Sequence, residues 1–285
     1  MSGWAIDVTV PGAERERVAA LLVQATGQAI EEREDGTLVG WAGLEAEAEK
    51  VRSAVCEVRG VVAAVRPLPN VDWTTEWKKG LAPRTIGRVI VTPSWIPQTP
   101  GPDQVVVTVD PETAFGSGEH GSTRGALVLL DRAIDTFAHA PRTTHHAPRV
   151  LDLGSGSGIL AIAAAKLGAQ RAVAIEFDAE ANPVAERNVE RNGVGDRVVI
   201  LEGDAGELAP LGAPADIVVS NILRSVNVAL LPAIKAAMAP GGVAIFAGME
   251  EPEEPLFRPA LMQHGFTVVD EVRDAGWWSC AARVA

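Results

Sequence analysis

Three glycines and three acidic side chains of this 285-residue chain are spaced as a small charged ligand would need them. In "VLDLGSGSGILAIAAAKLGA" a strand pattern runs into a glycine-rich turn and then a helix pattern. Gly154, Gly156 and Gly158 let backbone approach a ligand without Cβ obstruction. The helix pattern from Ile159 opens on free N–H groups, a ready anion site. Asp152 sits two residues before the first glycine, and Glu176 ends the next strand pattern, 22 residues after Gly154. A carboxylate there can accept hydrogen bonds from ribose hydroxyls. Asp204, in "LEGDAGEL" after the third strand pattern, can approach an adenine amino group. A dinucleotide would put a pyrophosphate on the turn, where Asp152 would repel it, and its fingerprint is GxGxxG. S-adenosylmethionine instead offers an α-amino group to Asp152, directly or through water, and a carboxylate to the turn amides or helix start. The plain alternative is a tight strand–helix turn with the acids serving as helix caps.

A second constellation lies upstream in "AFGSGEHGSTRGAL", residues 114–127. It lacks the GK[ST] ending of a phosphate loop, and one histidine makes poor metal chemistry. Gly116 stands 38 positions before Gly154, so the segment reads as a lid over the methionine end of such a cofactor, with Gly116, Ser117 and Thr123 as contacts. Phe115 could pack on the adenine, on the methionine chain, or in the core. His120 could relay a proton, gate the pocket or hold the loop; a loop or substrate-contact role is favoured. Ser122 and Thr123 could also cap the helix that follows. Asn221 ends the strand pattern "ADIVVSN", at the sheet end where open α/β sheets bind ligands. Its side-chain carbonyl, with the backbone carbonyl of Ile222, could aim the lone pair of an amine at a methyl donor; the alternative is a turn cap. The His145–His146 pair in a Pro/Thr-rich loop does not make a metal site, and Cys56 and Cys280 lack CxxC spacing.

The elements that would position these residues follow from periodicity. Strand patterns "RVIVTP", "QVVVTVD", "RVLDLG", "RAVAIE", "RVVILEG", "ADIVVSN" and "GGVAIFAG" alternate in large part with helix patterns at 122–137, 159–167, 179–192, 225–238 and 253–264, which predicts a parallel sheet. "FTVVDEVRDAGWWSCAARV" predicts an antiparallel hairpin that closes it. Residues 1–66 show the order βαββαβ, with Asp35–Gly36 as a hairpin turn, and predict a small ferredoxin-like α+β domain. Prolines mark a linker at 67–84, where "DWTTEWKKG" predicts a short helix capped by Asp72 and packed through Trp73 and Trp77. Residues 85–285 form the main domain.

Composition narrows the class. Hydrophobic residues make up 47% and charged residues 22%, enough for a sizeable core. No apolar run would span a bilayer, no signal peptide opens the chain, and two distant cysteines fit a reducing cytoplasm. The net charge of −12 leaves no basic footprint for direct nucleic-acid binding and suits a basic partner, or merely confers solubility.

D-x-G-x-G-x-G, the acidic second-strand end, the GDA segment and the C-terminal hairpin resemble the class I S-adenosylmethionine-dependent methyltransferases. "DWTTEWKKGLAP", "VTPSW", "DPETAFGSGEHGST" and "VSNIL" resemble more closely the ribosomal-protein methyltransferases of the PrmA type, over nearly the whole chain. That resemblance implies a Rossmann-like domain with a seven-stranded sheet, and an N-terminal domain that recognises a protein substrate. It implies S-adenosylmethionine as cofactor and no metal. The substrate it implies is the basic stalk-base protein of the large ribosomal subunit, free or newly made, modified on lysine side chains or its N-terminal amine in the cytoplasm. Another protein lysine or a small amine is the alternative substrate. A nicotinamide-dependent oxidoreductase and an inert ribosome-binding scaffold are the competing classes. The chain departs from the family's usual F-G-T-G-x-H-x-T-T at Ser117 and Ser122, and carries Glu119 and Gly121 at its two open positions. Ser155 replaces a usual cysteine, and Arg224 follows "NIL" where a small residue is commoner. Gly121 is expected to loosen the turn, and Glu119 to add charge near the pocket.

Overall fold

The computed structural model describes residues 3–26, 30–32, 36–67, 81–110, 112, 114–139 and 147–284. The Asp35–Gly36 turn, the linker helix with Asp72, Trp73 and Trp77, and the His145–His146 loop fall wholly or partly outside them. The chain divides into two compact units, Met1–Lys79 and Gly80–Ala285.

In the first unit, β1 (Trp4–Thr9), α1 (Arg15–Thr26), β2 (Glu31–Glu32), β3 (Leu38–Ala42), α2 (Glu45–Cys56) and β4 (Val62–Pro67) follow in the order read from the sequence. The sheet order is β2-β3-β1-β4, antiparallel throughout. Ile6 and Val8 from β1 meet Val18 and Leu22 from α1 and Val51 and Val55 from α2 in one core. The spacing of two along the strand, and of four along each helix, is what places these side chains on one face.

The second unit is built on a seven-stranded sheet. Its strands are β8 (Arg149–Leu153), β9 (Arg171–Glu176), β10 (Val198–Glu202), β11 (Ala215–Asn221), β12 (Met238–Glu250), β13 (Phe266–Asp274) and β14 (Trp277–Val284), in the order β10-β9-β8-β11-β12-β14-β13. β14 pairs antiparallel with both β12 and β13, so the hairpin closes the sheet with its last strand inside and β13 at the edge. Two expected strands of the main sheet lie elsewhere. "RVIVTP" and "QVVVTVD" supply β6 (Val89–Thr92) and β7 (Val105–Thr108), which pair in parallel and join β5 (Arg84–Ile86) in a separate three-stranded sheet. Apolar periodicity says that a strand has a buried face and not which sheet takes it.

Both faces of the large sheet are covered. Val150 of β8 and Ile217 and Val219 of β11 enter one apolar layer; Leu151, Leu153 and Val218 enter the other. Successive strand residues point to opposite faces, which explains why all seven residues of β11 are buried. The helices are α3 (Gly121–His139), α4 (Ile159–Lys166), α5 (Asn182–Arg191), α6 (Ala205–Leu208), α7 (Arg224–Ala237) and α8 (Glu254–Gln263). No helix among the described residues is long and apolar enough to cross a membrane.

Candidate active site at the carboxyl ends of the strands

The glycine turn, Glu176, Asp204 and Asn221 follow or end β8, β9, β10 and β11, so parallel strand direction brings all four to one edge of the sheet. They line a cavity of about 730 Å³, within the usual range of small-ligand sites. Of the residues singled out in the sequence, Phe115, His120, Gly154, Gly156, Glu176, Asp204 and Asn221 line it, with Ser122. Gly116, Ser117, Thr123, Asp152 and Gly158 do not.

The turn is a self-contained piece of backbone. Gly154 N–H and Ser155 N–H donate to Ile175 O, Gly158 N–H donates to Ser155 O, and Gly156 N–H donates to Glu176 Oε2 at 2.8 Å. The expectation of turn amides free to bind a carboxylate therefore fails: Gly154 through Gly158 all donate within the protein. The glycines supply room instead. A Cβ on Gly154 would lie 2.4 Å from Ile222 Cγ2, and one on Gly156 would lie 2.5 Å from Phe115 O, both at positive φ.

Asp152 is wholly buried behind the turn. Its Oδ2 accepts from Ala161 N–H at 3.0 Å, as a cap on the first turn of α4, while Oδ1 has no hydrogen-bond partner. Burial pushes its carboxyl up to about 7. It reaches a ligand only through the turn or a bridging water, and direct contact is excluded by its depth. Asp204 caps the short α6, accepting from Gly206 N–H at 2.6 Å, and still lines the cavity.

The opposite wall comes from the 114–121 loop and the turn before β14. The His120 ring lies 5.2 Å from Phe115 and 4.1 Å from Trp277, centroid to centroid. His120 Nδ1 is 2.7 Å from Ser122 Oγ, and burial together with nearby Arg124 lowers its pKa below the ordinary histidine value. Arg124 hydrogen-bonds the Glu119 carbonyl oxygen and Asp274, and Glu119 pairs with Arg84. Glu119 is thus held in an ion pair. Gly121 corrects another expectation: it does not loosen a turn but opens α3 against the hairpin. A Cβ there would lie 2.5 Å from Asp274 O and 2.8 Å from Trp277 Cδ1. Nor do Ser122 and Thr123 serve as caps preceding α3: they lie inside it, and their hydroxyls meet His120 and Asn221. Arg224, at the start of α7, pairs with Glu253.

Asn221 is buried at the end of β11, and its Nδ2 donates to Thr123 Oγ1 at 3.2 Å. Its Oδ1 has no hydrogen-bond partner. The neighbouring Ile222 O accepts from Asn227 Nδ2 at 3.1 Å, which leaves it one lone pair. Sequence reading missed Trp277, Phe177, Gly203, Leu223, Val226, Leu230 and Gly248, which also line the cavity. Gly248 had a visible signal, because it is the glycine that ends the strand pattern "GGVAIFAG"; a Cβ there would lie 2.3 Å from Ile222 O. Phe177 lies on the same lining as Phe115, Leu223 and Val226, all exposed, and exposed apolar side chains grouped in this way mark a ligand groove.

The family model described as "Ribosomal protein L11 methyltransferase (PrmA)" matches residues 41–284. The chain belongs to this family. It is 37% identical over 242 residues to the ribosomal protein L11 methyltransferase of Desulfitobacterium hafniense, covering 85% of this chain and 72% of that protein. It is 38% identical over 222 residues to the protein of that name from Pelotomaculum thermopropionicum, covering 78% and 68%. A crystal structure of the ribosomal protein L11 methylase from Lactobacillus delbrueckii subsp. bulgaricus superimposes with a TM-score of 0.59 at 29% identity, over 70% of this chain and 95% of that one. The large unit is accordingly a Rossmann-like class I methyltransferase domain.

The residues present fit the family's cofactor, S-adenosylmethionine. Ile175, Phe177, Ala205 and Leu230 line the cavity and would offer a planar base apolar contacts, and Asp204 and Glu176 would add acidic acceptors on the same lining. The turn has room only because side chains are missing at Gly154 and Gly156. Asp152 Oδ1, buried and without a partner, places behind the turn a carboxyl that a cationic ligand would favour in its ionised form. A pyrophosphate would find the turn amides already bonded.

Proposed function

We propose that this chain transfers methyl groups from S-adenosylmethionine to amine nitrogens of ribosomal protein L11, on lysine side chains, the N-terminal amine, or both. One observation carries the chemical part: Asn221, whose Oδ1 is a buried acceptor without a partner, lines the same cavity as the glycine turn. The substrate part rests on family membership.

The bound cofactor supplies a methyl group already activated on a sulfonium, so the protein chiefly positions and deprotonates the nucleophile. A lysine amine has a reference pKa of about 10.4 and arrives protonated at neutral pH. The apolar mouth formed by Phe115, Leu223, Val226 and Trp277 strips water from it, which favours the neutral form, so the amine gives up its proton to bulk water as it enters. Asn221 Oδ1, and the remaining lone pair on Ile222 O, accept its N–H groups and leave the nitrogen lone pair to face the methyl. The Thr123 hydroxyl fixes the Asn221 amide so that its oxygen is the atom presented. His120, neutral at physiological pH because its pKa is lowered, adds no repulsive charge beside an incoming ammonium group. With the cofactor bound, Phe115 and His120 would close the methionine end, Glu176 would hold the ribose and Asp204 the adenine side.

The first unit, read as residues 1–66 and joined through 67–84, is proposed to recognise the protein substrate; its 4-1-3-2 antiparallel order supports the ferredoxin-like assignment. A net charge of −12 favours a basic, free or newly made ribosomal protein over nucleic acid, and the reaction is placed in the cytoplasm. Mass spectrometry of L11 from cells lacking this gene tests the substrate: loss of its methyl groups supports the proposal, and unchanged methylation redirects it to another protein lysine or a small amine.

A further inference from the structure

The loop that carries Phe115 and His120 is fastened to the cofactor turn through one residue. Ser157 is wholly buried. Its N–H donates to Phe115 O at 2.8 Å, and its hydroxyl donates to Gly116 O at 2.6 Å. Its own carbonyl accepts from Asn188 Nδ2 at 3.0 Å. Asn188, also wholly buried, accepts from Asp110 N–H at 3.1 Å through Oδ1, and Asp110 lies where the chain leaves β7 toward the loop. The two residues therefore fix both the loop's point of departure and its place against the glycine turn. The fit is close: a Cβ on Gly116 would lie 2.8 Å from Ser157 Oγ.

From this geometry we infer that Ser157 is a positioning residue for methyl transfer. Its hydroxyl holds the Phe115–His120 wall in register with the cofactor turn, so that the acceptor amine meets the methyl in line. The inference rests on the methyltransferase reading above. Because Ser157 does not line the cavity, its side chain acts through the loop and not on the cofactor. Misplacing a reacting group by about 1 Å can cost about 100-fold in rate, and a buried carbonyl left without its donor is costly enough to move a loop.

The test separates binding from turnover. Ser157→Ala is expected to lower kcat for methylation of L11 by about tenfold or more, while calorimetry shows cofactor affinity within about threefold of wild type. Ser157→Thr, which restores the hydroxyl, should recover most of the rate. In a His120→Ala background the Ser157→Ala effect should shrink markedly, since coupled residues are non-additive. Should Ser157→Thr misfold, Gly116→Ala disturbs the same contact from the other side and should give the same kcat loss. Equal loss of affinity and turnover, or full additivity with His120→Ala, overturns the inference while leaving an active wild type intact. Inactivity of the wild-type protein toward every amine acceptor would instead overturn the underlying functional reading, and the inference with it.

Discussion

The two walls of the cavity are held by different forces. One wall, the glycine turn with Glu176, Asp204 and Asn221, is set by strand ends in a parallel sheet and by backbone hydrogen bonds. The other, the 114–121 loop with Trp277, is set by side chains: tilted and edge-on ring contacts, the Arg84–Glu119 and Arg124–Asp274 ion pairs, and the Ser157 hydroxyl. The first wall cannot shift without disturbing the core, whereas the second can shift by breaking a few polar contacts. That division suits a methyltransferase, in which the cofactor site must be invariant and the acceptor site must admit a protein side chain.

The comparison breaks most severely at Gly154. Gly154→Arg puts a Cβ 2.4 Å from Ile222 Cγ2 at φ 73, and the rest of the side chain enters the cavity. Calorimetry should show cofactor affinity reduced by more than about 100-fold, or ~3 kcal/mol. Asn221→Ala, at the meeting of the two walls, should lower kcat by about 100-fold with a much smaller change in cofactor affinity; the reverse pattern would move Asn221 into cofactor binding. Arg124→Ala loosens only the second wall and should lower kcat by about tenfold, or ~1.4 kcal/mol of barrier. Because its ion pair with Asp274 is partly exposed, the wild-type rate should fall modestly with added salt, and the variant's rate should not.

The smallest effect expected is on pH dependence, and it belongs to the first wall. The Asp152 carboxyl is held protonated up to about 7. A carboxyl whose pKa rises on folding contributes stability that is fully present below its unfolded value and is lost as pH climbs through the folded one. The cofactor-free protein should therefore lose thermal stability between about pH 4 and 7, and Asp152→Asn should flatten that slope. A cationic cofactor favours ionised Asp152, so affinity should rise a few-fold between about pH 6 and 7.5, where the ligand's α-amino group is still charged.

The first wall was legible in the sequence because backbone chemistry leaves residue-type marks: glycines at forced approaches, acids at strand ends, an alternation of strand and helix. The sheet's parallel core and all five main helices were readable for the same reason. The second wall was less so. Trp277 reaches the cavity because β14 inserts between β12 and β13, a long-range pairing that no local pattern states. Gly121 read as looseness because its reason, the carbonyl of Asp274, lies 153 positions away in the chain. The turn amides were misjudged because whether an N–H is free depends on Ile175, Glu176 and Phe115 folding back onto it.

The central claim is that both walls serve methyl transfer to one ribosomal protein. Incubation of the purified chain with methyl-labelled S-adenosylmethionine and separated ribosomal proteins of both subunits tests it most directly. The account predicts label on L11 alone, lost in Gly154→Arg and strongly reduced in Asn221→Ala. Label on a different protein, or none on L11 from an enzyme that binds the cofactor, would contradict it.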